Sequence, residues 1–297
     1  MSGPSRATVA GRAYRDLQAL SARENRSTQE LLALYALEGF LDRLSVSNRA
    51  GDMVLKGGVL LAAYGTRRPT RDVDLHTAAS SNDTATVLRM VREIAGLGRE
   101  DGLAYDTAGA SARTIRDEDE YSGVRVKLTC VLASAVIPFD VDVNVGDAVW
   151  PVPGPVEVPR LLGGSITVLG YSLPMVFAEK IVTAVQRGDT STRWRDFADI
   201  YLLSGRHNID GTELDRSLRT VAEHRGARMA PLGVLLASYR AIGQTKWVAW
   251  VRKQRLTDRL PENFADVLDA VIAFADPAIS GHATGQVWDP ARRSWQR

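Results

Sequence analysis

The chain has one cysteine, Cys130, in 297 residues, so no disulfide can close within it. That fits a reducing compartment. No apolar run approaches the ~20 residues of a membrane span. The longest such stretch, between Lys127 and Asp140, is interrupted by Pro138. The opening MSGPSRATVAGR carries arginines but no apolar signal core. An excess of one charge is also lacking: 37 Lys+Arg face 35 Asp+Glu, a net +2. Bulk charge therefore names no partner, and any basic surface has to be local. Walker A, G-x-G-x-x-G, H-E-x-x-H and G-x-S-x-G patterns are missing, and His76, His207, His224 and His282 lack zinc-ligand spacing. These absences predict a cytoplasmic protein that neither crosses a membrane nor uses P-loop, dinucleotide-fold, zinc or serine-elbow chemistry.

What is present is ordinary for a folded chain: 45% hydrophobic and 24% charged residues exclude a disordered or fibrous protein. The length suggests two domains. The spacing of LLALYALEGFLDRL predicts a helix over roughly 28–45, with Ser27 and Glu30 placed as a capping box. MVLKGG reads as a strand into a Gly-Gly turn, VLLAAYG as a helix ending near Gly65, and RDVDLH as a strand. Residues 82–97 are helical by period, and VRVKLTCVLA and IPFDVDVNV are strands. PVPGPVEVPR, with its four prolines, reads as a junction. From about Ser172 the pattern is helical to about Ala275, and the last twenty residues read as a loose tail. The expected fold class is therefore α+β: residues 1–160 form a helical lead-in and a mixed-sheet core, and 161–297 form a mainly helical domain.

Three segments carry chemistry. In LKGGVLLAAYGTRRPTRDVDL, Asp72 and Asp74 stand two apart on a strand, so both carboxylates share one face. Two carboxylates there are stable together mainly when a cation lies between them, and hard oxygen ligands suit Mg²⁺. The Lys56-Gly57-Gly58 turn ahead of a helix offers free backbone N–H groups to a phosphate. In FDVDVNVGD, Asp140, Asp142 and Asn144 alternate with valines. If that strand neighbours RDVDL, a third carboxylate joins the pair, as two-metal phosphoryl chemistry requires. In EKIVTAVQRGDTSTRWRDFADIYLL, Lys180 lies among apolar neighbours, a costly place for a cation unless it meets an anion, while Asp196 and Asp199 share a helical face. A fourth feature is local charge: Arg216, Arg219, Arg225, Arg228, Arg240, Lys246, Arg252, Lys253 and Arg255 face one acid, Glu223, across 216–255. Tyr239, Trp247 and Trp250 are interleaved, and such a surface suits RNA unless the aromatic residues are core.

In this order the motifs resemble the AbiEii-type nucleotidyltransferase toxins, including the mycobacterial MenT group, within the DNA polymerase β-like superfamily. The resemblance covers about residues 50–205 and rests on LKGG…RPTRDVDL, VDVNVGD and EKIVTAVQRGD…RWRDFADIYLL. It implies a nucleotidyltransferase-like mixed sheet with flanking helices and a helical C-terminal domain. It also implies Asp72 and Asp74 as the metal pair, Asp142 as the third carboxylate, Lys180 as the lysine on the nucleotide phosphates and Asp196 as its acid partner. Nucleotide binding would fall to Lys56, Gly57, Gly58 and Lys180. The implied activity moves a nucleotide from an NTP to the 3′ acceptor end of tRNA with Mg²⁺, blocking aminoacylation. The implied partners are tRNA and a cognate antitoxin, AbiEi-like or of kinase type. Thr70, two residues before Asp72, matches the position phosphorylated in some members. The turn departs from the superfamily's Gly-Ser by carrying Gly57-Gly58.

Two other classes remain open from the sequence. One is a protein-modifying nucleotidyltransferase, and the other is a non-catalytic RNA-binding relative built on the 216–255 stretch. A phosphatase of the haloacid-dehalogenase type fits less well, because FDVDV lies mid-chain without the helical crossover that motif opens.

Overall fold

Alternation of valine with polar residues makes strands, and the 3.6-residue apolar period makes helices. Both patterns appear in the computed structural model, which describes residues 4–78, 83–116 and 122–297. The chain forms two units: Met1–Asp147 with Gly154–Gly170, and Ala148–Pro153 with Tyr171–Arg297. The division thus falls at 170/171, where the sequence suggested 160/161. Residues 148–153 group with the second unit because they are tied to it. The Ser217 hydroxyl donates to the Trp150 carbonyl at 2.9 Å, and the Arg216 guanidinium lies 4.4 Å over the Trp150 ring.

The first unit is a curled mixed sheet with helices. Its elements are α1 (Val9–Glu24), α2 (Thr28–Ser45), β1 (Met53–Lys56), α3 (Gly57–Leu60), β2 (Asp72–Thr77), α4 (Thr84–Ala95), β3 (Leu103–Tyr105), β4 (Ser111–Arg116), β5 (Ser122–Leu132), β6 (Ala135–Val145), β7 (Gly154–Pro159) and β8 (Ser165–Gly170). The sheet runs β3-β5-β6-β2-β1-β8-β7, with β4 also on β5. β2 pairs parallel with β6, and every β5 neighbour is antiparallel. α2 is buried on all sides from Leu31 to Leu44; the stretch is apolar apart from Glu38, Asp42 and Arg43, and Glu38 pairs with Arg67 and Asp42 with Arg99. At its end Arg43, 2% exposed, donates to the Asp101 carboxylate at 2.5 Å, and its guanidinium lies 4.6 Å over the Tyr105 ring.

Three details differ from the sequence reading. Ser27 makes no side-chain cap, and Glu30 instead takes the Arg26 guanidinium at 2.6 Å. The helix expected to end at Gly65 is only four residues long and continues as i→i+3 turns through Gly65. The proline-rich stretch contains strand β7, which pairs with β8. Prolines are tolerated there because β7 ends the sheet, and a missing N–H can face away from the ladder.

The second unit is mainly helical: α5 (Leu173–Arg187), α6 (Trp194–Ser204), α7 (Gly211–His224), α8 (Leu232–Leu235), α9 (Tyr239–Gln254) and α10 (Phe264–Ile279). Ser172 caps α5 through the Met175 N–H, with Pro174 in the first turn. The expected loose tail is folded. β10 (Val287–Asp289) pairs with β11 (Ser294–Gln296) and with β9 (Ile209–Asp210). Trp288 is fully buried with its indole N–H on the Ser204 carbonyl, and Trp295 stacks on Phe274 at 5.6 Å. Two large aromatic residues outweigh the Gly, Pro and Arg content that suggested disorder. Among the described residues no helix is long and apolar enough to cross a membrane.

Arg43→Met should destabilise the protein by about 3–5 kcal/mol, because it leaves the Asp101 carboxylate buried without its cation. Urea unfolding of the full chain measures this, and a change below ~1 kcal/mol would contradict the role given to the pair.

Candidate active site

Parallel pairing of β2 with β6 puts Asp72 opposite Asp140 and Asp74 opposite Asp142. Side chains alternate, so these four carboxylates share one sheet face while Val73, Leu75, Val141 and Val143 are buried on the other. Ligand oxygens of Asp72, Asp74 and Asp142 all lie within 4.8 Å of one another. Three carboxylates this close repel strongly unless a cation sits among them, and an all-oxygen donor set fits Mg²⁺.

The surroundings already supply part of the compensation. Arg125, opposite Asp142 on β5, donates Nε to its carboxylate at 2.7 Å and Nη2 to the other oxygen, and lies 3.6 Å from Asp140. Such a fork fixes the carboxylate plane yet leaves further lone pairs on both oxygens. Burial pushes the Asp142 carboxyl above its ordinary range, Arg125 pulls it back, and Asp72 and Asp140 add to the rise. The Thr70 hydroxyl donates to Asp72 at 2.6 Å.

The Gly57-Gly58 turn seats Asp74. Gly57 has φ +66°, and a Cβ there would lie 1.8 Å from the Asp74 Oδ2 atom. The Gly58 N–H donates to the same oxygen at 3.4 Å. Glycine is required at position 57 both by the left-handed backbone and by the carboxylate packed against it. Lys56, expected on a phosphate, has its ammonium 2.7 Å from Asp147, whose carboxylate also lies 3.8 Å from His76.

In the second unit Lys180 on α5 is pinned by two acids of α6, Asp196 at 2.9 Å and Asp199 at 2.7 Å. Burial alone would raise the Asp196 carboxyl. Lys180, then Arg195 and Arg193, outweigh that and hold it below the usual carboxylate range. The expected Lys180–Asp196 pair is therefore brought together, with Asp199 as a second anchor.

The basic stretch divides. Arg216, Arg219, Arg228, Arg240, Lys246, Arg252, Lys253 and Arg255 are exposed. Arg225 is half-buried, bonded to Thr183 at 2.9 Å and 3.7 Å from Glu179. Arg219 pairs with Asp215 at 3.0 Å, and Arg240 pairs with Asp269. Tyr239 and Trp247 are core, packed with Trp194, Phe197 and Phe264, so neither offers a face to a base.

Sequence reasoning missed Arg125 and Asp147. Arg125 carried a signal: it and Lys127 alternate with Val124, Val126 and Leu128, which marks a cationic strand face. Which strand it would oppose was not in that signal.

Residues 39–270 match the model of the family described as "Nucleotidyl transferase AbiEii toxin, Type IV TA system". Among solved structures the chain is similar to JHP933 from Helicobacter pylori, with TM-score 0.51 and 15% identity over 86% of this chain and 96% of that one. A second H. pylori structure, of a nucleotidyltransferase candidate, gives TM-score 0.49 and 13% identity over 86% and 98%. The likeness to JHP933 supports the fold alone. No curated protein matches.

Two outcomes are expected. Gly57→Ala should weaken Mn²⁺ binding, read by calorimetry on the full chain, and cost about 1–2 kcal/mol from its backbone angle alone; unaltered Mn²⁺ affinity would contradict the packing of Asp74 on this turn. Asp196, depressed in the folded state, contributes stability that is complete above the unfolded carboxylate range and is lost as pH falls through the lower folded value. Asp196→Asn should therefore flatten the acid limb of stability against pH, and an unchanged limb would contradict the Lys180 pairing.

Proposed function

We propose that this chain, which belongs to the AbiEii nucleotidyl transferase toxin family of type IV toxin–antitoxin systems, transfers a nucleoside monophosphate from an NTP to the 3′ acceptor end of tRNA, releasing pyrophosphate and blocking aminoacylation. The observation that carries the reading is the three-carboxylate cluster on the neighbouring parallel strands β2 and β6. Asp72, Asp74 and Asp142 would hold Mg²⁺, which when bound supplies charge neutralisation of the triphosphate and activation of the attacking 3′-hydroxyl.

The remaining roles belong to the chain's own groups. Arg125 keeps the Asp142 carboxylate in a fixed plane, and the Thr70 hydroxyl and Gly58 N–H orient Asp72 and Asp74. Gly57 leaves the space that Asp74 needs. Lys180 is the cation assigned to the nucleotide phosphates, and Asp196 and Asp199 hold its ammonium ready. A phosphate on Thr70 would take away the Asp72 hydrogen bond and add negative charge beside it, which is how a kinase-type antitoxin would silence the site. An antitoxin is the partner the family implies. Exposed Arg216, Arg219 and Arg228, with Lys246 within α9 and Arg252, Lys253 and Arg255 at its end, are the residues assigned to RNA in the second unit. These residues would act through charge, because Tyr239 and Trp247 are buried.

The test uses purified full-length protein with bulk tRNA, Mg²⁺ and each labelled NTP in turn. Label should pass to tRNA from a preferred NTP, and Asp74→Ala should abolish it while circular dichroism stays native. Undiminished labelling by Asp74→Ala would sink the carboxylate assignment, and label on protein alone would move the acceptor to a side chain.

A further inference from the structure

The registers of five strands place one continuous row of charge across the open face of the sheet. Arg113 on β4 faces Arg125 on β5, Arg125 faces Asp142 on β6, Asp142 faces Asp74 on β2, and Asp74 faces Lys56 on β1. A second row, one pleat along, runs Ser111, Lys127, Asp140 and Asp72. In both rows the acids lie on β6 and β2, and cations lie beside them on the β4–β5 side: Arg113 and Arg125 in the first row, Lys127 in the second.

Within the cationic side the three groups are not equivalent. Arg125 is committed to Asp142. Arg113 and Lys127 are exposed, and neither forms an ion pair with a described residue. Two guanidinium groups directly opposite on paired strands disfavour the pairing, and Arg125 with Arg113 is such a pair. An arrangement that costs pairing energy on an open face is stabilised when an anion bridges the cations.

We propose that this strip, Arg113 with Lys127 beside the carboxylate cluster, holds the phosphodiester backbone of the acceptor RNA next to its reacting 3′ end. The assignment rests on the nucleotidyl-transfer reading and deepens it by naming where the acceptor strand lies. Spacing favours RNA over the incoming nucleotide. β4 is two strands from Asp142, about 10 Å, and three from Asp74. Lys127, one strand from Asp140, is within reach of a triphosphate engaged at the carboxylates, but Arg113 lies a strand further out, where only a chain whose 3′-hydroxyl is at the carboxylates continues past both. The exposed Ser111 hydroxyl in the second row offers a further donor to the same backbone.

The experiment measures binding of bulk tRNA to the full-length protein without NTP, by filter retention across a KCl series. Arg113→Ala/Lys127→Ala should weaken tRNA binding about tenfold at low salt and lower the slope of log affinity against log salt by about 1.4 units, the share of two phosphate contacts on a single strand. Arg113→Lys/Lys127→Arg, which keeps both charges, should restore the slope. In transfer assays the double-alanine variant should raise KM for tRNA while KM for the NTP stays unchanged. Wild-type affinity and slope in the double-alanine variant overturn the proposal, as does failure of the wild type to bind tRNA. A rise confined to the NTP KM overturns it in favour of a nucleotide site. A wild-type protein that binds tRNA through the strip but labels no tRNA would instead defeat the transfer reading and leave the strip standing.

Discussion

The structure is organised around a pairing that electrostatics opposes. β2 and β6 run parallel at a register that sets aspartate against aspartate twice over. Like charges opposite one another weaken a sheet, so the register is held from the other face, where Val73, Leu75, Val141 and Val143 are fully buried. A slip of one residue would turn those valines and Leu75 to water and drive the carboxylates into the core. The hydrophobic face thus enforces the acidic face, and the neighbouring strands and turns are arranged to make that tolerable.

Each compensation is of a different physical kind. Arg125 provides a cation in a forked geometry, Thr70 and Gly58 provide hydrogen bonds, and Gly57 provides only space. The mixture matters because a fully neutralised cluster would have no remaining appetite for a divalent ion. The Arg125 fork leaves further lone pairs on the Asp142 oxygens, and three carboxylates within 4.8 Å form an all-oxygen centre of the kind a hard cation fills. The second unit solves the converse problem. A single lysine among apolar neighbours is held by two acids, with Arg193 3.9 Å from one of them, so these carboxylates are already engaged by cations. That is a reason to regard its carboxylates as supports for the ammonium, not as reactive groups.

What could be seen in the sequence was whatever depends on neighbours in the chain. Alternation in RDVDLH and FDVDVNV placed the carboxylates on one face of each strand, and the apolar setting of Lys180 marked it as needing an anion. Pairing partners were hidden, since nothing local in VRVKLTC says that Arg125 will lie opposite Asp142 and not elsewhere on the sheet. Asp147 as the partner of Lys56, 91 residues away, was hidden for the same reason. The short helix α3 shows a different limit: an apolar run after Gly57-Gly58 looks helical, yet the turn is occupied in seating Asp74 and the chain soon tightens into i→i+3 turns. The tail shows a third. Composition suggested looseness, but Trp288 and Trp295 bury enough surface to fold it against Ser204 and Phe274.

The near-zero net charge of the chain conceals a strongly ordered local one. Across β4, β5, β6, β2 and β1 the row reads two cations, two anions and a cation. The cations flanking the acids, Arg125 and Lys56, pair with Asp142 and Asp147. The clustered acids of the middle and the exposed cations of the β4–β5 edge are therefore adjacent on one surface. A polyanion bearing a terminal hydroxyl is repelled by the middle alone and attracted by the edge alone. A divalent ion held by the carboxylates would lower that repulsion and leave the attraction of the edge in place. A cation held by these carboxylates would therefore favour an anionic acceptor on the same face through charge alone, before any chemistry is considered.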